Sequence, residues 1–112
     1  MKIGEVSEET GLSIHTIRYY EKQGLVGKPK KDTSGHRIFS LKDIELLDWI
    51  SCMKNSGMSL SKIRRYSNAF YSDDTAVCLT LLTEHLDLLK EQKVSVIHYI
   101  DVTEGKISRL KA

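Results

Sequence analysis

The sequence predicts a mainly α-helical chain in which a helix-turn-helix and a short hairpin, here called the wing, precede one long helix. Two short helical segments joined by Gly-Leu-Ser at residues 11–13 give the helix-turn-helix pattern. The basic stretch after them contains Pro29, which excludes a helix there. From Thr75 to about Leu110 no proline occurs and apolar residues repeat every seven positions, as in a coiled-coil helix.

The composition argues against a membrane protein and against a large enzyme. A chain of 112 residues buries too little surface to enclose a large active site. It has no run of about 18 apolar residues that could cross a membrane. Its start, MKIGEVSEETG, is amphipathic and acidic, unlike a signal peptide, so we expect a cytoplasmic protein.

The residue types that perform catalysis or bind metals are too dispersed to form a recognisable motif. Cys52 and Cys78 lack metal-ligand spacing and are too few for a disulfide framework. No phosphate loop, nucleophile elbow or paired carboxylates occur, and the histidines are scattered: His15, His36, His85 and His98. We therefore expect no enzyme activity, no metal and no cofactor.

The charges are distributed unevenly along the chain, although the net charge is only +2. Residues 1–70 hold twelve Lys/Arg against eight Asp/Glu, whereas residues 71–112 hold five against seven. Residues 18–37 alone carry six cations and two anions. This asymmetry favours a polyanionic partner for the first part and a protein partner for the second, with a merely solvated basic face as the alternative.

Local signals delimit the helix-turn-helix and the wing. Helix one is expected at residues 2–10, ended by Gly11, and helix two at residues 14–23, capped by Ser13. A Ser-Gly turn at residues 34–35 precedes a short strand predicted at residues 37–39. These signals predict a small basic hairpin on the surface.

Two supporting helices follow the wing. The first is capped by Ser40 with Asp43 at its third position and ends at Gly57. Its expected inward residues are Leu41, Ile44, Leu47 and Ile50, flanked by Trp49 and Met53. The second is capped by Ser59, with Leu60, Ile63 and Tyr66 or Phe70 inward, and a break at residues 72–74 separates it from the long helix.

The last helix carries a heptad seam in which eight of eleven positions are apolar. Its proposed interface residues are Leu79, Leu82, Leu86, Leu89, Lys93, Val96, Ile100, Ile107 and Leu110, with Thr75 and Thr103 also on the seam. A helix of roughly 50 Å is too long to be covered by the seventy residues that precede it, here called the head, so a partner chain is expected. The alternative is an amphipathic helix folded back on its own head.

In this order, the segments resemble the MerR family of bacterial transcription regulators. The resemblance is carried by IGEVSEETGLSIHTIRYYEKQGLV, SGHRIFS and DIELLDWISCMKNSGMSLSKIRRY, all within residues 1–70. It implies a mainly α fold with a winged helix-turn-helix DNA-binding head at residues 1–70. Residues 71–112 would be a linker and a dimerisation helix in an antiparallel coiled coil.

A recognition helix presents its first turns to base edges in the major groove. His15 and Thr16 are the candidates for base contacts, with a solvated side chain as the alternative for His15. Arg18 can pair with a guanine or with phosphate oxygens, and Tyr19 offers a hydroxyl donor. Tyr20 lies about 100° further round and faces either the DNA or the core. The wing candidates for phosphate contacts are Lys28, Lys30, Lys31 and Arg37, and the resemblance implies that Arg18 and Arg37 clamp the backbone.

The resemblance also implies how such a protein acts. A homodimer would hold two heads on a palindromic promoter operator in double-stranded DNA. In response to an effector or stress signal, it would bend and untwist the promoter spacer so that RNA polymerase can engage it. The effector is not identified by the sequence.

Two cysteines are candidate sensors. Cys52 matches the lone cysteine of a thiol- and aldehyde-stress branch of the family, although beside Met53 it also suits core packing. Cys78 lies near the start of the long helix, where metal-sensing relatives place a cysteine, but the other ligands are missing.

Two other classes of binding protein compete with a regulator. An architectural protein of the excisionase sort shares a winged head, but it usually lacks a long dimer helix. A coiled-coil adaptor that binds only protein leaves the charge of residues 18–37 unexplained.

Overall fold

The computed structural model describes residues 1–27 and 30–112. Its elements are α1 (Ile3–Thr10), α2 (Ile14–Lys22), β1 (Lys30–Lys31), β2 (Arg37–Ile38), α3 (Leu41–Asn55), α4 (Leu60–Tyr71) and α5 (Thr75–Lys111). The mainly α prediction, with a helix-turn-helix, a wing and a long final helix, is confirmed. The chain forms two compact units, Met1–Cys78 and Leu79–Ala112. The functional division at residue 70 stays a prediction.

Capping interactions set the ends of the first two helices. Gly11 ends α1 with a φ of 73°, and its N–H donates to the carbonyl of Ser7. Ser13 Oγ caps α2 by accepting the N–H of Thr16 at 3.1 Å. Each helix is one residue shorter than predicted, because Lys2 is the N-cap of α1 and Gln23 the C-cap of α2.

The wing is an antiparallel pair of two-residue strands in which Lys30 faces Ile38 and Lys31 faces Arg37. Oδ1 of Asp32 accepts the N–H groups of Ser34 and His36, each at 2.9 Å. The bond from the His36 backbone holds the pKa of this carboxyl below its ordinary value. The hairpin is confirmed, although β2 ends one residue earlier than predicted.

The chain start ties the wing to the head. The amino group of Met1 donates to the carbonyl of Phe39 at 3.0 Å, and the N–H of Phe39 donates to the carbonyl of Met1 at 2.6 Å. A bridge between Lys2 and Ile38 adds to this pairing. Phe39 itself is 1% exposed, so the residue after β2 anchors the wing in the core.

The core of the first unit packs α3 against both α1 and α4. Its fully buried residues include Val6, Ile17, Leu25, Phe39, Leu47, Ile50 and Ile63. The prediction that Leu41 points inward is wrong, because it begins α3 directly after the cap and is 84% exposed. Leu46 is buried instead, because a helix contacted on two sides buries a broader face than one i, i+3 stripe.

Caps also define the last two helices. Ser59 Oγ accepts the N–H of Lys62 at 3.2 Å and begins α4, as predicted. Tyr66 of α4 stacks on Trp49 with ring centroids 4.1 Å apart. After Asp73, whose φ is 56°, the carboxylate of Asp74 accepts the N–H of Val77 and begins α5.

The second unit is helical up to Lys111, as the uninterrupted heptad pattern predicts. Leu81 and His85 are buried within the single chain, and every residue from 90 to 112 is exposed. The seam residues at least 48% exposed are Leu79, Leu86, Val96, Ile100, Ile107 and Leu110, whereas Leu82 and Leu89 are half-buried. None of the helices in the described ranges is long and apolar enough to cross a membrane.

Candidate nucleic-acid interface

Helix α2 divides its side chains between solvent and core. His15, Arg18 and Tyr19 are exposed, and Ile17 is fully buried on the opposite side. This division follows the helical period, in which residues three and four apart share a face. The structure thus brings three of the predicted DNA-contacting residues together on one accessible face.

Thr16 lies half-buried in the first turn of α2. Its hydroxyl is 2.8 Å from Ser13 Oγ, so the two hydroxyls share a hydrogen bond beside the cap. Thr16 therefore both supports the helix start and borders the exposed face. A base contact by Thr16 stays a prediction.

Tyr20 must be removed from the predicted DNA-contacting residues. Its side chain is 4% exposed, and its hydroxyl lies 2.9 Å from Oγ of Ser51 in α3. The physical reason is its angular position, since one step along the helix turns the ring from solvent toward α3. Of the two alternatives that the sequence leaves open, the structure selects the core.

A cation from α3 flanks α2. Nζ of Lys54 lies 5.4 Å from the ring centroid of Tyr19 and 5.8 Å from that of Tyr20. Such cation–π contacts stabilise by about 0.5–1 kcal/mol at exposed sites. Lys54 is not among the contact residues that the sequence predicts, because its proximity to α2 arises only from the packing of α3.

On the other side of α2, a cleft of about 860 Å³ opens toward the wing. Its lining residues are Lys2, Ile3, Arg18, Glu21, Lys22, Lys31, Gly35, His36 and Arg37. Five of them are Lys or Arg and one is a carboxylate, so the cleft suits a polyanion. Lys2 and Lys22 are not among the predicted contact residues, because a single cation gives no local signal of which residues the fold places beside it.

Arg37 crosses the cleft from the wing. Its Nη1 donates to Oε2 of Glu21 at 2.7 Å, with Glu21 only 11% exposed and Arg37 39% exposed. A guanidinium has five N–H donors, so this bond leaves others for a phosphate. Lys30 and Lys31 are exposed on β1, and the prediction for Lys28 lies outside the described residues.

The end of α2 is fixed to α4. Nε of Arg64 donates to the carbonyl of Gln23 at 3.0 Å, and Oγ of Ser67 donates to the carbonyl of Leu25 at 2.6 Å. The bond to Gln23 satisfies the carbonyl of the C-cap, and the bond to Leu25 fixes the segment that follows the helix. The C-terminal end of α2 is thus held by α4, which helps to preorganise the exposed face.

The two candidate sensor cysteines differ in environment. Cys52 is exposed on α3, contrary to the core-packing alternative. Cys78 is half-buried in the wall of a cavity of about 230 Å³ with Tyr66 and Phe70. Burial, and then the Asp74 carboxylate, raises the pKa of the Cys78 thiol, which disfavours the reactive thiolate.

Across residues 1–27 and 30–112, no group of three or more His, Cys, Asp or Glu side chains is placed to hold a metal ion. The expectation that the protein needs no metal or cofactor stays a prediction.

Comparison with known proteins decides the family. Residues 1–69 match the model of the MerR HTH family regulatory proteins. The chain belongs to the MerR family. The matched residues contain α2, the wing and the cleft, so the resemblance carried by the sequence motifs is confirmed.

Relatives of this MerR-family chain are transcriptional regulators. An HTH-type transcriptional regulator of Haemophilus influenzae is 34% identical over 106 residues, covering 93% of this chain and 78% of the relative. The HTH-type transcriptional regulator AdhR of Bacillus subtilis is 36% identical over 77 residues, covering 69% of this chain and 55% of AdhR.

Solved structures share the architecture. A MerR-family regulator from Listeria monocytogenes superposes with a TM-score of 0.86 at 27% identity, over 100% of this chain and 86% of that chain. HiNmlR, a MerR-family regulator lacking the sensor domain and bound to promoter DNA, superposes with a TM-score of 0.79 at 31% identity. The match covers 96% of this chain and 86% of the HiNmlR chain.

Proposed function

We propose that this MerR-family regulator binds a palindromic operator in double-stranded promoter DNA as a homodimer and controls transcription there. The observation that carries the proposal is the basic cleft between α2 and the wing, beside the exposed face of α2. The DNA-bound state of HiNmlR supports promoter DNA as the partner. A cytoplasmic location agrees with this function.

In the proposed complex, α2 enters the major groove with His15 and Thr16 toward base edges. Arg18 and Arg37 contact phosphates of one strand from the cleft, assisted by Lys30 and Lys31 of the wing. On the far side of α2, Tyr19 and Lys54 are placed for the other strand, because a helix in the major groove has a phosphate backbone on each side. These contacts fix the register, and the base contacts select the sequence.

The dimer is proposed to form through α5. Leu86, Ile100 and Ile107 are each about half exposed on one seam, and an exposed apolar stripe of this length favours a second helix. An antiparallel arrangement would place the two heads at opposite ends of the pair. Lys93 sits at a central seam position, where its ammonium can reach the edge of the pair and help to fix the register.

Control of transcription is proposed to use DNA deformation. Bending and untwisting a promoter spacer costs on the order of a few kcal/mol, which phosphate contacts from two heads can offset. An effector or stress signal would shift the dimer toward the state that binds distorted DNA, so that RNA polymerase engages the promoter. Cys52 is the candidate thiol for such a signal, since it is exposed.

The proposal is tested by selecting duplexes from a random library with the full-length protein and mapping the selected site on genomic promoters. We expect a palindromic site between promoter elements and a change in transcription by RNA polymerase in vitro. Selected sites without any effect on transcription would indicate an architectural protein. Absence of duplex binding at low salt would contradict the proposal and favour a protein adaptor.

A further inference from the structure

Glu21 is an acid at the centre of a basic cleft. It lines the space that we assign to phosphate, together with Arg18, Lys22 and Arg37. A carboxylate in this place repels a polyanion, so charge complementarity alone gives no reason for it. Its contact with Arg37 supplies one.

The wing needs a connection to α2 if Arg37 is to be held in place. A pair of two-residue strands is marginally stable by itself. The backbone contacts of Met1 and Lys2 hold β2 to the chain start, and the Arg37–Glu21 ion pair joins the wing to α2 through side chains. Glu21 is 11% exposed and Arg37 is 39% exposed, so water and salt screen this pair less than they screen a fully exposed pair.

We propose that Glu21 is a positioning residue that holds Arg37 in the geometry for operator DNA and suppresses its binding to other DNA. This inference rests on the proposed function. An arginine that is free to rotate can meet any phosphate, whereas a paired guanidinium offers its remaining N–H groups in one direction. Glu21 also removes one net positive charge from the cleft, which lowers the sequence-independent attraction.

Two substitutions separate position from charge. Glu21→Gln keeps the shape and removes the charge, so affinity for random duplex should rise while affinity for the operator rises less or falls. Glu21→Asp keeps the charge but withdraws the carboxylate from Arg37. It should therefore lower operator affinity without lowering random-duplex affinity, because a released Arg37 can meet any phosphate. In both variants we expect the ratio of operator to random-duplex affinity to fall about threefold or more.

The experiment uses the full chain, the duplex that the wild-type protein selects from a random library, and a scrambled duplex of equal length. Binding is followed by fluorescence anisotropy across a salt series for wild type, both Glu21 variants, Arg37→Gln and the double variant Glu21→Gln/Arg37→Gln. Glu8→Gln is the matched control, because it removes an exposed acid of α1 that does not line the cleft. Thermal melting of each variant reports on folding separately.

If Glu21 acts through Arg37, the effects of the two substitutions are coupled: Glu21→Gln changes the ratio of operator to random-duplex affinity in the wild type but not in the Arg37→Gln background. Equal gains on both duplexes, a Glu21→Asp variant that behaves as wild type, or effects that add in the double variant would overturn the inference. If Glu21→Gln does not fold, Glu21→Asp and Arg37→Gln decide the question. A wild-type protein without duplex binding would instead contradict the proposed function itself.

Discussion

The Tyr71 hydroxyl donates a hydrogen bond to Oδ1 of Asp43 across 2.6 Å. The same hydroxyl accepts the N–H of Gly27 at 2.9 Å, and Oδ2 of Asp43 accepts the N–H of Ser40 at 2.8 Å. Asp43 is only 6% exposed, so a buried carboxylate joins the end of α4, the start of α3 and the segment before the wing. A charge buried this deeply depends on these donors.

We expect Tyr71→Phe to destabilise the head by about 1–3 kcal/mol, because it removes a donor from Asp43 and an acceptor from Gly27. Chemical denaturation followed by circular dichroism measures the loss. Tyr99→Phe on α5 is the control, since Tyr99 is 63% exposed and should change the free energy of unfolding very little. Equal stability of the two variants would show that the contacts of the Tyr71 hydroxyl with Asp43 and Gly27 do not contribute to the free energy of unfolding.

The burial of Tyr71 and its bond to Asp43 predict a loss of stability at high pH. Burial, and then the bond to Asp43, raises the pKa of Tyr71 above its ordinary value. The folded state therefore keeps a proton that the unfolded chain releases above about pH 10, and stability falls as pH rises through that range. Tyr66 and Cys78, whose pKa values burial also raises, act in the same direction.

The contribution of Tyr71 is isolated by comparing unfolding free energies of wild type and Tyr71→Phe between about pH 8 and pH 11. The variant should lose less stability over this interval. Parallel pH curves would contradict the assignment.

The sequence predicts local contacts better than contacts that arise from packing. The caps Ser13, Ser40 and Ser59 are correctly predicted, because capping depends on a few adjacent residues. The proximity of Lys54 to Tyr19 and of Glu21 to Arg37 depends on how helices and wing pack, which no local spacing encodes. The helical period predicts Leu41 inward, but Leu41 is exposed. The period does not show that a first-turn residue extends beyond the packed region.

The next prediction concerns the exposed face of α2. Arg18→Ala should weaken operator and random-duplex binding together. It should also lower the salt slope by about one unit per half-site, because a complex with fewer phosphate contacts releases fewer counterions when it forms. Lys54→Ala should act in the same way if the far side of α2 also meets phosphate. Arg109→Ala, on α5 and off the heptad seam, is the control for loss of one cation. Unchanged slopes for Arg18→Ala and Lys54→Ala would show that α2 is oriented differently.

Dimerisation is tested by a matched pair of substitutions on α5. Ile100→Glu places a charge on the seam, whereas Val94→Glu places one on a residue off the seam that is 69% exposed. We expect Ile100→Glu to sediment as a monomer, because an acid at a seam position must be desolvated in the paired helix. Val94→Glu should remain a dimer. A dimeric Ile100→Glu variant would place the interface outside the proposed seam.

The last prediction concerns the two thiols. At neutral pH, iodoacetamide should alkylate Cys52 faster than Cys78, because Cys52 is exposed whereas burial and Asp74 raise the pKa of Cys78. The rates are read by mass spectrometry in Cys78→Ser and Cys52→Ser, so that each thiol is followed alone.

If Cys52 also senses, Cys52→Ser should abolish the response of transcription to aldehydes or oxidants while leaving operator affinity and thermal stability nearly intact. A full response in the Cys52/Cys78 double variant would exclude both thiols and require an effector that acts through non-covalent contacts.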